Sequence, residues 1–265
     1  MSNLVGVLVV GNEILDGVVL DTNSQWIINR LKPLGFQVHE AITVRDNIHE
    51  IGAALNRLID DGCGLVFTTG GLGPTHDDMT LQGVAHGLGL PLELDQASLD
   101  IVMRQYRMLH ERGIIESGEM TDSRRKMAIL PRGSQPLDNR VGGAPGVLLE
   151  ERGSTIVCLP GVPLELKWIF DDQVAPILKS MVRGVYAERI VALPLRDEST
   201  LAPIIDQVMG EAPGVYVKSM VKPYGEEGIR LWVSSMGEDQ GEVEAKVARA
   251  VDRLVELTRE RLPNG

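Results

Sequence analysis

The stretch Leu65-Val66-Phe67-Thr68-Thr69-Gly70-Gly71-Leu72-Gly73-Pro74-Thr75-His76-Asp77-Asp78 constrains the fold more than any other. An apolar run with the length of a strand empties into three glycines, and two carboxylates follow where Leu81, Val84, Ala85 and Leu88 mark a helix. Without a Cβ, glycine lets backbone N–H groups approach a bulky anion. The helix N-terminus behind the loop adds partial positive charge, and adjacent aspartates suit a hard divalent cation. Together these are the chemistry of nucleotides or phosphorylated cofactors. The named motifs do not fit: no Gly-Lys-Ser/Thr ends the loop, and His76 stands where a dinucleotide fingerprint needs its third glycine. A tight strand-to-helix turn also uses glycine, so the loop alone leaves both readings open.

The same alternation runs through the first half. Leu4–Val10 reads as a buried strand, and Thr22-x-x-Gln25 reads as a capping box for a helix carrying Trp26, Ile27, Leu31 and Leu34 up to Gly35. Phe36–Val44 is the next strand, and Ile48, Ile51, Leu55, Leu58 and Ile59 follow at helical spacing as far as Gly62. Continuous apolar strands alternating with helices imply a mostly parallel sheet covered on both faces, with ligands at the strands' carboxyl ends. Gly11-Asn12-Glu13, Asp46 and the Gly70–Asp78 loop all fall there. Polar helical stretches follow at Asp95–Gly113 and Thr121–Met127, then a hairpin of Gly146–Glu150 with Ser154–Leu159. Pro163 suits the first position of a helix over Leu164–Lys179.

From Gly184 the pattern becomes βαββα: Val185–Leu193, Ser199–Met209, Val215–Met220, Ile229–Ser234 joined through Tyr224-Gly225-Glu226, and a long amphipathic helix from Val243 to Val255. Residues 1–180 therefore read as the α/β domain and 184–265 as a small α+β domain. The net charge of −11 argues against nucleic-acid binding, which needs a basic footprint. No run approaches a membrane span, and Leu4–Val10 lacks the flanks of a signal segment. Cys63 and Cys158 lie in apolar segments without metal-ligand spacing and read as buried free thiols of a cytoplasmic protein.

Gly11-Asn12-Glu13-Ile14-Leu15, Thr22-Asn23, Arg45-Asp46, the stretch from Thr69 to Thr80, Gly143-Ala144-Pro145-Gly146 and Leu159-Pro160-Gly161-Val162-Pro163-Leu164-Glu165 occur in an order that is familiar as a set. In that order they resemble the N-terminal, molybdopterin-binding-like region of CinA proteins, and more broadly the superfamily of MogA, MoaB and the gephyrin G domain. The resemblance runs through the small C-terminal domain. It does not reach the deamidase domain that CinA proteins usually carry after this region, so deamidase activity is not inherited.

The resemblance implies a three-layer α/β sheet that binds a nucleotide or a pterin phosphate, in a cytoplasmic homo-oligomer. It implies one of two reactions: metal-dependent ADP-ribose pyrophosphatase activity, associated with CinA-type members, or adenylylation of molybdopterin with MgATP in molybdenum cofactor synthesis. A non-catalytic pterin- or nucleotide-binding module is the alternative from another class.

By resemblance Asp78 and Asp46 hold the divalent cation (Mg²⁺, Mn²⁺ or Co²⁺) and are the catalytic pair. The plainer readings are first-turn stabilisation, which Asp77 could also supply, and helix capping by Asp46 or Asn47. Arg45 reads equally as a phosphate contact or a solvated cation. Glu13 orders the loop or the metal, or bonds nearby amides. Gly11, Gly70, Gly71 and Gly73 read as anion-facing backbone and Thr75 as an added hydroxyl; His76 stays outside the catalytic set. Gly143, Ala144 and Gly146 allow a flat ring or phosphate to pass, or simply loosen a loop. Pro160, Gly161 and Glu165 form the other wall, where Glu165 either bonds a base or pterin or stabilises a helix start.

Overall fold

β1 (Leu4–Val10) shows why the chain builds around a central sheet: Val5, Val7 and Leu8 are fully buried, so both faces of the strand are covered. Such a strand is stable only in the interior of a layered structure. The computed structural model describes residues 2–181, 184–195, 197–220 and 228–261. After β1 come α1 (Asn12–Leu15), α2 (Asn23–Leu31), β2 (Gln37–Val44), α3 (Ile48–Asp60), β3 (Leu65–Thr69), α4 (Thr80–Leu88), β4 (Leu92–Leu94), α5 (Gln96–Glu111) and α6 (Asp122–Lys126). Then follow β5 (Ile129–Pro131), β6 (Gln135–Leu137), β7 (Gly146–Glu151), β8 (Ser154–Leu159), α7 (Pro163–Ile169) and α8 (Ala175–Met181).

The main sheet has the order β2-β1-β3-β8-β7-β6. β1 lies parallel to β2 and β3, and β3 parallel to β8, whereas β7 runs antiparallel to β8 and β6. The register pairs Val10 with Val44, Val9 with Thr69, and Thr69 with Leu159. Four parallel strands thus end together, and the chain leaves them as Gly11, Arg45-Asp46, Gly70 and Pro160-Gly161. The connection from β1 goes one way to β2 and the next goes the other way to β3, which makes this edge a topological switch point.

Alternate residues of the strands serve the two faces. Leu8, Val66 and Ile156 pack with Ile51, Leu55 and Leu58 of α3, Val84 of α4 and Val102 of α5. Phe67 points the other way, onto Phe170 at 5.8 Å between ring centroids, and Phe170 meets Trp26 of α2 edge-on at 5.2 Å. Both thiols are free and buried, and burial pushes the Cys158 thiol up to about 11.

Three local expectations are corrected. Asp21 caps α2, its Oδ1 accepting from the N–H groups of Asn23 and Ser24 at 3.0 Å each, so the work assigned to a Thr22–Gln25 box is done one residue earlier. The helix expected over Leu164–Lys179 is two helices joined by a π-helical turn, Phe170–Val174. Pro176, one residue into α8, supplies the cause: it has no N–H to donate, and its ring needs room in the preceding turn. Finally, β4, β5 and β6 lie where no strand was expected, β4 pairing with β5 and β6 with the expected β7.

The chain's contacts divide it into two units, the break falling after Met181, and Lys32–Gly35 group with the C-terminal unit. That unit comprises β9 (Val185–Leu193), α9 (Glu198–Glu211), β10 (Val215–Met220), β11 (Ile229–Gly237) and α10 (Gln240–Arg261), with an antiparallel sheet in the order β10-β11-β9. Val217, Leu231 and Val233 of the sheet pack with Leu201 and Ile204 of α9 and with Val247 and Leu254 of α10. The Lys32 Nζ stands 4.6 Å from the centroid of Trp232 in that unit. The Tyr224-Gly225-Glu226 connection lies outside the described residues. Among the described residues no helix is long and apolar enough to cross a membrane.

Candidate functional site

The loop after β3 is built by its neighbours' backbones. Gly70 has φ +94°, and a Cβ there would lie 2.2 Å from the Val10 carbonyl oxygen at the end of β1. Gly71 has φ +64°, and its Cβ would meet the Thr80 hydroxyl at 2.3 Å. Thr80, fully buried at the start of α4, donates its hydroxyl to the Gly70 carbonyl at 2.7 Å and its N–H to the Gly71 carbonyl at 3.1 Å. Thr80 is a residue the sequence reading missed, although a threonine opening the helix behind the glycines was visible.

Asp78 closes the loop on itself, its Oδ2 accepting from the Thr75 N–H at 2.8 Å. The Thr75 hydroxyl lies between the carboxylates of Asp77 and Asp78 and can donate to either. That hydroxyl holds the Asp77 carboxyl below its usual range. Gly73 makes room for this, since a Cβ there would come within 2.6 Å of Asp78 Oδ2. Because α4 begins at Thr80, both aspartates belong to the turn before the helix and not to its first turn.

At the ends of β1 and β2, the two readings of Asp46 separate. Asn47 caps α3, its Oδ1 accepting from His49 N–H at 2.9 Å and Glu50 N–H at 3.2 Å. Asp46 instead turns toward the strand ends and accepts the Asn12 N–H at 2.8 Å. Burial raises the Asp46 carboxyl above its usual range; the Asn12 N–H opposes this, while the charges of Glu13, Asp77 and Asp78 add to it. These four carboxylates therefore share one electrostatic locus. The Glu13 carboxylate folds over Gly11, where a Cβ would meet it at 2.8 Å. Arg45 is engaged with Asp16 at 2.9 Å.

Beside this locus a cleft of about 120 Å³ opens between the ends of β1, β3 and β8 and the loop from α1 to α2. Val9, Val10, Ile14, Val19 and Leu20 give it an apolar side, and Glu13, Asp21, Thr22, Asn23, Thr69, Gly70 and Gly161 a polar one. Three sequence candidates, Glu13, Gly70 and Gly161, thus meet in one cleft. Asn23 is a further wall residue that sequence reasoning left out of the site. Its Nδ2 donates to the Gly161 carbonyl at 2.8 Å, an acceptor that settles which end of the amide is which. Its Oδ1 is buried with no hydrogen-bond partner.

In the segment 142–165 the small residues lie against the protein's own side chains, and Glu165 stands in the first turn of α7, one of the two places expected of it. A Cβ on Gly142 would lie 1.9 Å from Glu165 Cδ, one on Gly143 2.7 Å from the Tyr106 ring, and one on Gly146 3.0 Å from Ile169. Ala144 is buried, and Asn139 ties its carbonyl to Glu165, the Asn139 Nδ2 donating to both at 2.7 Å. What passes against these small residues is the protein's own side chains, and Glu165 acts as a strut for the loop. Burial raises its carboxyl, with Asn139 opposing. Pro160 leaves β8 at the cleft's edge without lining it.

Two cations complete the neighbourhood. Arg124 stacks over Tyr106 at 4.0 Å, and Lys126 donates from Nζ to the Thr75 carbonyl of the glycine loop. Burial lowers the Lys126 pKa, against the pull of Asp78 and Asp77. The run Arg124-Arg125-Lys126 in so acidic a chain was the available signal.

Among the described residues no group of three or more His, Cys, Asp or Glu side chains is arranged to hold a metal ion. Magnesium-type sites need only one or two carboxylates, the remaining ligands being water and substrate oxygens. Asp46 and Asp78, in a locus with surplus negative charge, have the donor chemistry for that arrangement.

A mostly parallel sheet whose strand ends gather a glycine loop, acidic side chains and a half-apolar cleft defines a small-molecule-binding α/β protein. A family model described as a probable molybdopterin binding domain matches residues 6–180. A protein of Aeropyrum pernix is 39% identical over 253 residues, covering 94% of this chain and 91% of that one. One of Thermococcus kodakarensis is 35% identical over 251 residues, covering 95% and 97%. The crystal structure of CinA, a protein of unknown function from Thermoplasma acidophilum, is 36% identical with a TM-score of 0.59, covering 66% of this chain and 99% of that chain. The chain belongs to the molybdopterin-binding-domain family and is CinA-like.

Proposed function

We propose that this chain is a divalent-cation-dependent pyrophosphatase acting on ADP-ribose or a related nucleoside diphosphate compound. The observation that carries this reading is that the charges of Glu13, Asp77 and Asp78 all act on Asp46, at the strand ends beside the turn Gly70–Gly73. The charges of Glu13, Asp77 and Asp78 add to the proton affinity of Asp46 unless a cation joins them, and a phosphate brought there adds more negative charge. Asp46 and Asp78 would hold that cation, which when bound neutralises charge on the reacting phosphoryl group.

The chain's own groups do the rest. The Gly70 N–H, expected to face an anion, is taken by the Leu159 carbonyl at 3.0 Å; the amides from Gly71 to Gly73 would face phosphate oxygens, and Lys126 can leave the Thr75 carbonyl for one of them. The apolar wall of Val10, Ile14 and Val19 seats a flat ring, whose N–H would satisfy the orphaned Asn23 Oδ1. Positioning and charge neutralisation carry the rate, so no protein nucleophile is required. Water attacks one phosphorus of the pyrophosphate, the bridging P–O bond breaks, and ADP-ribose yields AMP and ribose 5-phosphate.

The test is AMP release from ADP-ribose with Mg²⁺, Mn²⁺ or Co²⁺, beside an Asp78→Ala variant. Turnover that needs the cation and disappears in the variant supports the reading; no turnover with any of the three sinks it. A second reading, adenylyl transfer from ATP to a pterin phosphate, is favoured by the match to a probable molybdopterin binding domain. ATP-dependent AMP transfer to a pterin phosphate would select it, and tight ligand binding without chemistry would leave a binding module.

A further inference from the structure

The C-terminal unit contains a groove that the proposed reaction does not use. It measures about 380 Å³ and runs between the last turn of α9 and the middle of α10. Val208, Ala212, Pro213 and Ala250 form an apolar floor, and Lys246, Arg249 and Arg253 stand along α10 at its edge. Their spacing of three and four residues places the cations on successive turns of one helix face.

The three cations are not equivalent. Arg253 gives its Nε and Nη2 to the two oxygens of Glu211, at 2.9 and 3.3 Å, and its Nη1 to Glu256 at 2.7 Å. Glu211 also accepts from Gln207 at 2.8 Å. Arg253 is therefore fully paired, with Glu211 in the groove and Glu256 beside it, and offers a ligand no net positive charge. Lys246 and Arg249 make no hydrogen bond or ion pair among the described residues. Two uncompensated positive charges thus border a recessed apolar surface in a chain of net charge −11. A cation on an exposed helix face is ordinarily just solvated; here an adjoining hollow gives an anion's apolar body somewhere to lie.

We propose that this groove binds a small organic anion, its phosphate or carboxylate group held by Lys246 and Arg249 and its apolar ring or chain lying on Val208, Ala212, Pro213 and Ala250. Arg249 offers a planar fork to paired oxygens and Lys246 a mobile point charge. The floor selects for an organic anion over a free one because only the former removes apolar surface from water.

The experiment is an amide-shift titration of the full chain by NMR, without divalent cation, using phenyl phosphate and inorganic phosphate as probes. A Lys246→Gln/Arg249→Gln variant is titrated in parallel. Both side chains reach the surface, and a thermal melt verifies that the variant is folded. The site predicts saturable shifts at Val208, Ala212 and Ala250. Phenyl phosphate should bind about tenfold more tightly than inorganic phosphate, and the double variant about tenfold more weakly than the parent chain. Shifts linear in concentration, or unchanged affinity in the double variant, overturn the site. Equal affinity for the two probes overturns the apolar floor as its selector. Shifts confined to residues before Met181 also overturn the proposal, whatever the outcome of the ADP-ribose assay.

Discussion

Thr80 and Asp46 each do a structural job inside the site, so substitution must separate structure from chemistry. Thr80→Val keeps the shape but leaves the Gly70 carbonyl without its buried donor, a loss of about 1–3 kcal/mol. Urea unfolding would measure it, and Thr80→Ser, which keeps the hydroxyl, should recover most of the difference. Asp46→Asn keeps an oxygen for the Asn12 N–H and removes the charge. The folded state should survive with little change in Tm while ADP-ribose turnover falls roughly 10²-fold. Turnover at the parent rate would reduce Asp46 to a prop for α1.

Elements impose the next level of constraint. α3 and α4 approach so closely that a Cβ on Gly87 would lie 2.7 Å from the Gly52 Cα, backbone against backbone. Gly87→Ala should therefore cost about 1–3 kcal/mol, since neither helix axis can yield without moving its strand; a neutral effect in denaturant titration would show that the helices slide freely. The loop from Asn139 to Ala144 is held by Glu165, whose carboxyl burial raises in the folded state. The folded chain then keeps that proton more tightly than the unfolded one. Its stabilising contribution is complete below the ordinary carboxyl pKa of about 4.3 and is lost as pH rises through the raised folded value. Glu165→Gln should flatten this part of the stability–pH curve, and an identical slope in the variant would show that the titration lies elsewhere.

For the whole molecule, the decisive quantity is a net charge of −11 set against the anionic ligand proposed above. On the proposed reading, attraction would come from local amides, Lys126 and a cation rather than from the overall field. Chelation with EDTA should thus weaken binding of AMP or ADP-ribose as well as stop turnover, which calorimetry with and without Mg²⁺ would detect. Unaltered binding after chelation would remove the cation from substrate recognition. Much of this architecture was legible from residue order. The buried strands, their alternation with helices and the βαββα tail follow from local apolar periodicity, and the turn at Gly70–Gly71 from residues that tolerate positive φ. The three-residue strands β4, β5 and β6 were not, because so short a segment has no period to read and forms only where a partner strand already lies. Nor could a local window show that Asn23 bonds Gly161 across 138 residues, that Lys126 reaches the glycine loop across 51, or that Lys32–Gly35 join the C-terminal unit. Sequence alone determined which segments become strands and helices and that carboxylates and glycines gather at the strand ends, since burial and backbone preference act over a few residues. Only the tertiary structure decided that Asn47 and not Asp46 caps α3, that Glu165 props a loop, and that Asn23 walls the cleft, because the order of strands in the sheet determines which distant side chains meet.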